Sequence, residues 1–278
     1  MRSLLKQNRS VIQLRYTRVM AFSYKLKWEK GRFVPGQKDP YVISRSKVER
    51  FTECARCFWL EARYGIGRPD SFPFTLNNAV DELFKREFDV HRVKGEAHPL
   101  MKTYGIDAVP LQHKDLEEWR DALKRGIKYT HPELNLTLRG GIDDIWQGPS
   151  GEVYIVDYKA TAGKDTITLD EEWKDSYKRQ IEIYQWLFRK NGFDVSPTAY
   201  FVYANGKNDK EAFDGKLEFE VTILPYVGDD SWIEGCLTEL RACLDSEEIP
   251  AVGKGCQYCP YREYAGKKLL ELHRAKKK

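Results

Sequence analysis

The chain has 278 residues, 41% hydrophobic and 32% charged, with a net charge of +4. That hydrophobic share supports a packed core and excludes general disorder, and no apolar run approaches the roughly 20 residues that cross a bilayer. The mildly basic balance permits a nucleic-acid partner without requiring one.

The first 28 residues carry several Arg and Lys, no Asp or Glu, and no apolar centre of an export signal. We expect a basic, disordered extension over 1–22, with Met20 a second candidate start, then a single domain over 23–265 and a basic tail over 266–278. Six cysteines without an export signal point to a reducing compartment, the cytoplasm. There, paired thiols serve as metal ligands or redox groups more often than as disulfides.

Ser44-Arg45-Ser46-Lys47 opens a helix that carries Val48, Phe51, Cys54, Phe58 and Trp59 at helical spacing, and Gly65, Gly67 and Pro69 end it. A second helix is expected from Asn77 to Phe88, with Val80, Leu83, Phe84 and Phe88 as its apolar stripe. Residues 92–113 read as loop-rich. Residues 115–129 read as a third helix, with Leu116, Trp119 and Leu123 on one face. Together these predict a helical lobe over 44–130.

A sheet core is expected over 134–225. Leu134, Leu136, Leu138, Gly140 and Ile142 alternate with polar residues, a strand signature. Gly148-Pro149-Ser150-Gly151 is a turn, and Glu152 to Ala160 is the returning strand. Thr168 with Glu171 fits a capping box for a long helix that Gly192 stops. Strands over Thr198–Tyr203 and Leu217–Leu224 follow, then a helix from Trp232 to Leu244 in which Cys236 and Cys243 read as buried apolar residues. The last section, 230–265, ends in a cysteine pair.

The chemistry concentrates on the hairpin. Asp157 and Lys159 stand two apart on a strand and share a face. A turn centred on Ser150 sets Asp143 opposite Asp157, where directly paired residues have Cβ atoms about 5 Å apart. A register slip of one would put Asp144 there instead. Two carboxylates in reach of each other can grip a divalent cation, with the Tyr158 carbonyl as a further oxygen. A lysine beside them can orient water and offset negative charge. Gln180 and Tyr184, four apart on the next helix, share a face, where Gln can hydrogen-bond a phosphate or a base and Tyr can stack, donate its hydroxyl or pack in the core.

The run Leu138-Arg139-Gly140-Gly141-Ile142-Asp143, then Val156-Asp157-Tyr158-Lys159, then Gln180-Ile181-Glu182-Ile183-Tyr184 resembles the PD-(D/E)xK nuclease superfamily. Within it, the match is to the RecB-like branch that includes the CRISPR-associated adaptation nucleases, over roughly residues 44 to 265. The resemblance implies an α/β, restriction-endonuclease-like fold: a mixed central sheet flanked by helices, with an added helical lobe. It implies Mg²⁺- or Mn²⁺-dependent hydrolysis of DNA, single-stranded or with single-stranded ends more than blunt duplex, with no membrane partner. Repair, recombination, and CRISPR or mobile-element processing are the settings that fit. Asp143, not Asp144, would be a metal ligand, Asp157 the second, and Lys159 the catalytic lysine. Gln180 and Tyr184 would position the strand. On the upstream helix the branch carries Gly and, four residues later, a ligating His; here Asn77 and Asp81 stand in those places, which makes Asp81 the third candidate ligand.

Cys54-Ala55-Arg56-Cys57 and Cys256-Gln257-Tyr258-Cys259 stand at opposite ends of the domain. Brought together they would offer Cys₄ ligation, suited to Zn²⁺ or an iron–sulfur cluster. The first segment is similar to the cysteine motif of the iron–sulfur members of the same branch, which carry one cysteine there and three at the C-terminal side. Here Cys57 is additional and Ala265 stands where the third would be. The expectation is a [4Fe–4S] cluster, with Zn²⁺ the alternative, in a structural role that closes the domain's ends. Two rivals to a nuclease are a catalytically silent nucleic-acid-binding module on the same fold and a redox protein built on the CxxC pairs.

Overall fold

The computed structural model describes residues 31–69 and 74–276. The basic extension expected over 1–22 lies outside them. In chain order, β1 (Tyr41–Ser44) runs into α1 (Arg45–Glu53), α2 (Ala55–Tyr64) and α3 (Thr75–Lys94). A short α4 (Pro99–Thr103), β2 (Val109–Pro110) and α5 (Leu116–Arg120) follow, then β3 (Ile127–His131), β4 (Leu136–Gly140), β5 (Asp144–Gln147) and β6 (Val153–Ala162). Next come α6 (Asp175–Lys190), β7 (Thr198–Gly206), β8 (Phe219–Val227), α7 (Trp232–Asp245) and α8 (Tyr258–Ala275).

The strands form two mixed sheets flanked by helices, in the orders β1-β4-β3 and β2-β5-β6-β7-β8. In the larger sheet β6 and β7 run parallel, which requires a crossover, and α6 supplies it. Both faces of this pair are covered. Ile155, Phe201 and Tyr203 pack with Ile181, Tyr184, Leu187 and Phe188 of α6, while Val156, Tyr158, Val202 and Ala204 pack with Phe84 and Phe88 of α3. A strand buried on both sides has no polar face, so its sequence reads as a nearly continuous apolar run.

Several expectations change in detail. Ser44 does cap α1, its side chain accepting from the Lys47 N–H at 3.3 Å, and Gly65 ends α2 in the left-handed region at φ 70°. The single helix expected between them is broken, because Cys54 is extended (φ −164°, ψ 101°). The break carries its sulfur to the Gly253 N–H, 3.2 Å away. The second helix is longer at both ends than its stripe suggests, and Leu83 is exposed. The segment 92–113 contains α4 and β2. The third helix shrinks to α5 and leaves Leu123 exposed, since Ile127 to His131 is drawn into pairing with β4.

The strand expected over 134–142 does not pair with the returning strand. It is β4, parallel to β1 in the smaller sheet, and the partner of β6 is β5. Thr168 and Glu171 meet side chain to side chain at 3.4 Å but do not cap α6. A 3₁₀ turn over Glu172–Lys174 intervenes, and the helix begins at Asp175. Cys236 and Cys243 are half-buried against the main core. Much of the expected tail is helical, as part of α8.

Candidate active site

The β5–β6 hairpin pairs Asp144 with Val156 and Ile145 with Ile155, the register of a turn centred on Ser150. One step further along, Asp143 stands across from Asp157 in the bend where the chain passes from β4 to β5. Strand alternation then sends Asp157 and Lys159, like Ile155, toward α6, and Val156 and Tyr158 toward α3. Gly140 makes this bend possible. A Cβ there would lie 2.5 Å from Cε1 of Tyr184, so only glycine lets the ring lie so close beneath the strand end.

Asp81, Asp143, Tyr158, Lys159, Tyr177 and Gln180 line one open cavity of about 470 Å³ between the N-terminal ends of α3 and α6. Gln180 Nε2 donates to Asp157 Oδ1 at 2.8 Å, and the Tyr158 N–H donates to Asp143 Oδ2 at 2.9 Å. The Lys159 ammonium is ion-paired with Asp157 Oδ2 and stands 4.7 Å from the centre of the Tyr177 ring. On α3, Lys85 Nζ donates to Asp81 Oδ2 at 2.6 Å and lies 3.9 Å from Asp143 Oδ1. Tyr184 is outside the cavity lining, buried below it.

Asp144 has the opposite environment. Fully buried, it accepts from Arg92 and from Arg120 (3.1 Å), from its neighbour's N–H on Ile145 (2.8 Å) and from the Tyr158 hydroxyl (2.6 Å). The register alternative between the two aspartates is thereby resolved in space. Asp143 opens on the cavity, and Asp144 is neutralised behind the sheet.

Charge is unbalanced in the cavity. Burial pushes the Asp157 carboxyl up to about 7 against the pull of Lys159, and Asp143 adds to the rise. Burial and Asp143 also raise Asp81. For Lys159 burial works downward, but Asp157 and Asp143 outweigh it and the ammonium is held more tightly than usual. Among the described residues, Asp157 Oδ2 and Asp81 Oδ1 are buried without a hydrogen-bond partner. Three carboxylates, with Asp81 Oδ1 buried and unpartnered, fit a hard divalent cation such as Mg²⁺ or Mn²⁺.

Sequence reasoning missed three residues here. Lys85 had a signal, the helical i+4 spacing from Asp81, and Tyr177 had one in its i−3 position to Gln180. Arg45, on the cavity wall, had none. Asn77, in the place of the branch's Gly, donates its side chain to the Ala160 carbonyl at 2.9 Å across 83 positions.

The four clasp cysteines converge. Their sulfurs all lie within 4.8 Å of one another, with Cys54–Cys259 at 3.8 Å, Cys57–Cys256 at 3.6 Å and Cys57–Cys259 at 3.4 Å. Burial and the neighbouring thiols push Cys259 well up. Burial also opposes ionisation of Cys256, yet the Cys259 N–H and the facing thiols draw it down to about 7. Thiols so packed cannot all ionise without a cation among them.

A mixed sheet that presents clustered carboxylates and a lysine at a strand end is the scaffold of a superfamily of phosphodiester-cleaving enzymes. The chain belongs to that PD-(D/E)XK nuclease superfamily, whose family model matches residues 42–264. A solved structure described as "Crystal structure of SSO0001" is similar over 77% of this chain and 81% of its own, at 13% identity and a TM-score of 0.36. No curated protein matches the chain. Among the described residues, no helix is long and apolar enough to cross a membrane.

Proposed function

We propose that this chain is a Mg²⁺- or Mn²⁺-dependent deoxyribonuclease of the RecB-like branch, acting in DNA repair, recombination, or CRISPR or mobile-element processing. The observation that carries this reading is the meeting of Asp81, Asp143, Lys159 and Gln180 on one open cavity, with Asp157 at its base. Asp143, Asp157 and Asp81, with the Tyr158 carbonyl, would hold the cation. When bound, the cation polarises the scissile phosphate and lowers the pKa of a water.

The residues do the rest. Lys159 stays an ammonium at neutral pH, so it donates hydrogen bonds to the attacking water and the phosphate and does not act as a base. Gln180 fixes the Asp157 carboxylate by its hydrogen bond. Tyr184, pressed against Gly140, holds α6 and the strand end in register. Arg45 on the rim suits a phosphate of the incoming strand. An open cavity between two helix ends suits single-stranded DNA or a single-stranded end more than a blunt duplex. The described part of 23–265 acts as one domain in this reading, in the reducing cytoplasm.

The test is cleavage of end-labelled single- and double-stranded DNA with Mg²⁺ or Mn²⁺ by the wild type, Asp157→Ala and Lys159→Ala. The proposal expects cleavage by the wild type alone. Binding without cleavage, unchanged by either substitution, would leave a silent nucleic-acid-binding module instead.

A further inference from the structure

We infer that Cys54, Cys57, Cys256 and Cys259 take a single tetrahedral ion of the Zn²⁺ class, and not the [4Fe–4S] cubane that the resemblance to iron–sulfur nucleases implies. The discriminating quantity is the distance between sulfurs. With metal–sulfur bonds of about 2.3 Å, four thiolates around one tetrahedral ion stand about 3.8 Å apart. A cubane gives each thiolate its own corner iron, which spreads the sulfurs to roughly 6 Å. The closest approaches here are 3.4, 3.6 and 3.8 Å, and no pair exceeds 4.8 Å.

The surroundings hold that spacing. Gly253 closes one side of the clasp: a Cβ there would fall 2.0 Å from the Glu53 carbonyl oxygen and 2.9 Å from Cys54 Cβ. Its N–H donates to the Cys54 sulfur. Spreading the sulfurs to the separation of a cubane would therefore drive the 252–256 segment away from the start of α2. The donor pattern agrees. Each CxxC spans the start of a helix, α2 for the first pair and α8 for the second, so each supplies two sulfurs from one turn, and two such pairs complete a tetrahedron. Outside the ligands, Arg56 Nε donates to the Pro250 carbonyl at 2.8 Å and Arg262 to the Gly67 carbonyl at 2.9 Å. These bonds tie the two segments together without using any of the four sulfurs. Cys54, Cys57 and Cys259 are buried, and a closed shell of four protein sulfurs marks a structural ion rather than a catalytic one.

The inference does not depend on nuclease activity and is tested apart from it. The full chain is purified without oxygen, which preserves an iron–sulfur cluster if one is there, and its zinc, iron and acid-labile sulfide are measured. The expected result is one zinc per chain with no labile sulfide, and Co²⁺ in its place giving the visible bands of tetrahedral thiolate cobalt. Cys57→Ser should lose the zinc, while Asp157→Ala should keep it. Should Cys57→Ser fail to fold, the Co²⁺ spectrum of the wild type still decides. A brown protein with several irons and sulfides per chain would overturn the inference. So would a folded, metal-free chain whose melting temperature does not respond to Zn²⁺ or Co²⁺.

Discussion

The molecule holds two clusters of side chains able to ligate a metal, built in opposite ways. In the cleft, the spacing of Asp143 from β6 is set by a local hairpin, and the hydrogen bond from Tyr158 to Asp143 spans only 15 positions. The backbone ladder places these oxygens whether or not a cation is present, so like-charge repulsion can be stored there. In the clasp, the facing sulfurs of Cys57 and Cys256 are 199 positions apart, and among the described residues no sheet connects their segments. One site is a frame built by the backbone. At the other, an ion held by the four sulfurs would complete the frame, and its binding energy would be folding energy. The lesson is that openness and prior order go with chemistry, whereas closure and dependence on the ligand go with architecture.

The largest expected effect separates the two functions. Lys159→Ala should lower cleavage by on the order of 10²- to 10³-fold and leave the metal content of the clasp unchanged. Loss of clasp metal in this variant would show that the two regions are not independent.

Next comes a contrast between neighbours. Asp144→Ala removes the buried carboxylate shared by Arg92, Arg120 and the Tyr158 hydroxyl, leaving Asp89 as the arginines' acidic partner, and should cost about 3–5 kcal/mol of stability in urea unfolding. Asp143→Ala removes a carboxylate that repels Asp81 and Asp157 and should change stability by less than about 1 kcal/mol. Equal costs would mean that the cavity is held together by Asp143 itself rather than by the frame behind it.

These neighbours also mark how far the sequence could be read. The pairing of Asp143 with Asp157 is legible because a hairpin is local and its turn residues are explicit in Gly148-Pro149-Ser150-Gly151. Which aspartate meets the cavity is not legible from register. The answer depends on Arg92 and Arg120, which reach Asp144 from 52 and 24 positions away. The same distinction explains the other misses. β4 and β5 read as one strand because a switch between sheets keeps the chain extended. The break at Cys54 carries no Gly or Pro, and its cause, the 252–256 segment, lies at the other end of the domain. The clasp itself was visible as two CxxC pairs, since residue type survives distance, but the spacing of its sulfurs is a tertiary fact.

A smaller effect follows from pH. The carboxyl of Asp157 is raised in the folded protein to about 7. Between its unfolded value near 4 and that point the fold therefore holds a proton the unfolded chain has lost. The contribution of this group to stability in the metal-free protein must fall as pH rises through that window. A cation competes with the same proton, so Mn²⁺ affinity should rise with pH up to about 7 and flatten above it. Calorimetric titration with Mn²⁺ at several pH values measures this, and an affinity independent of pH below 7 would remove Asp157 from the ligand set.

The smallest effect probes Lys85, a cation that α3 sets beside the cleft's carboxylates. Lys85 donates to Asp81 and lies near Asp143, where its charge offsets part of the repulsion that an incoming ion would otherwise relieve. Lys85→Met keeps the length of the stem and removes the charge. At pH 8, where proton competition is weakest, the variant should bind Mn²⁺ about 3- to 10-fold more tightly, a screened interaction on the order of 1 kcal/mol. Tighter binding sharpens the contrast with the clasp, because it shows carboxylates held in place by the fold and merely occupied by the lysine. Weaker binding would reverse it. Lys85 would then be what keeps Asp81 oriented, and the cleft, like the clasp, would depend on a cation to hold its ligands together.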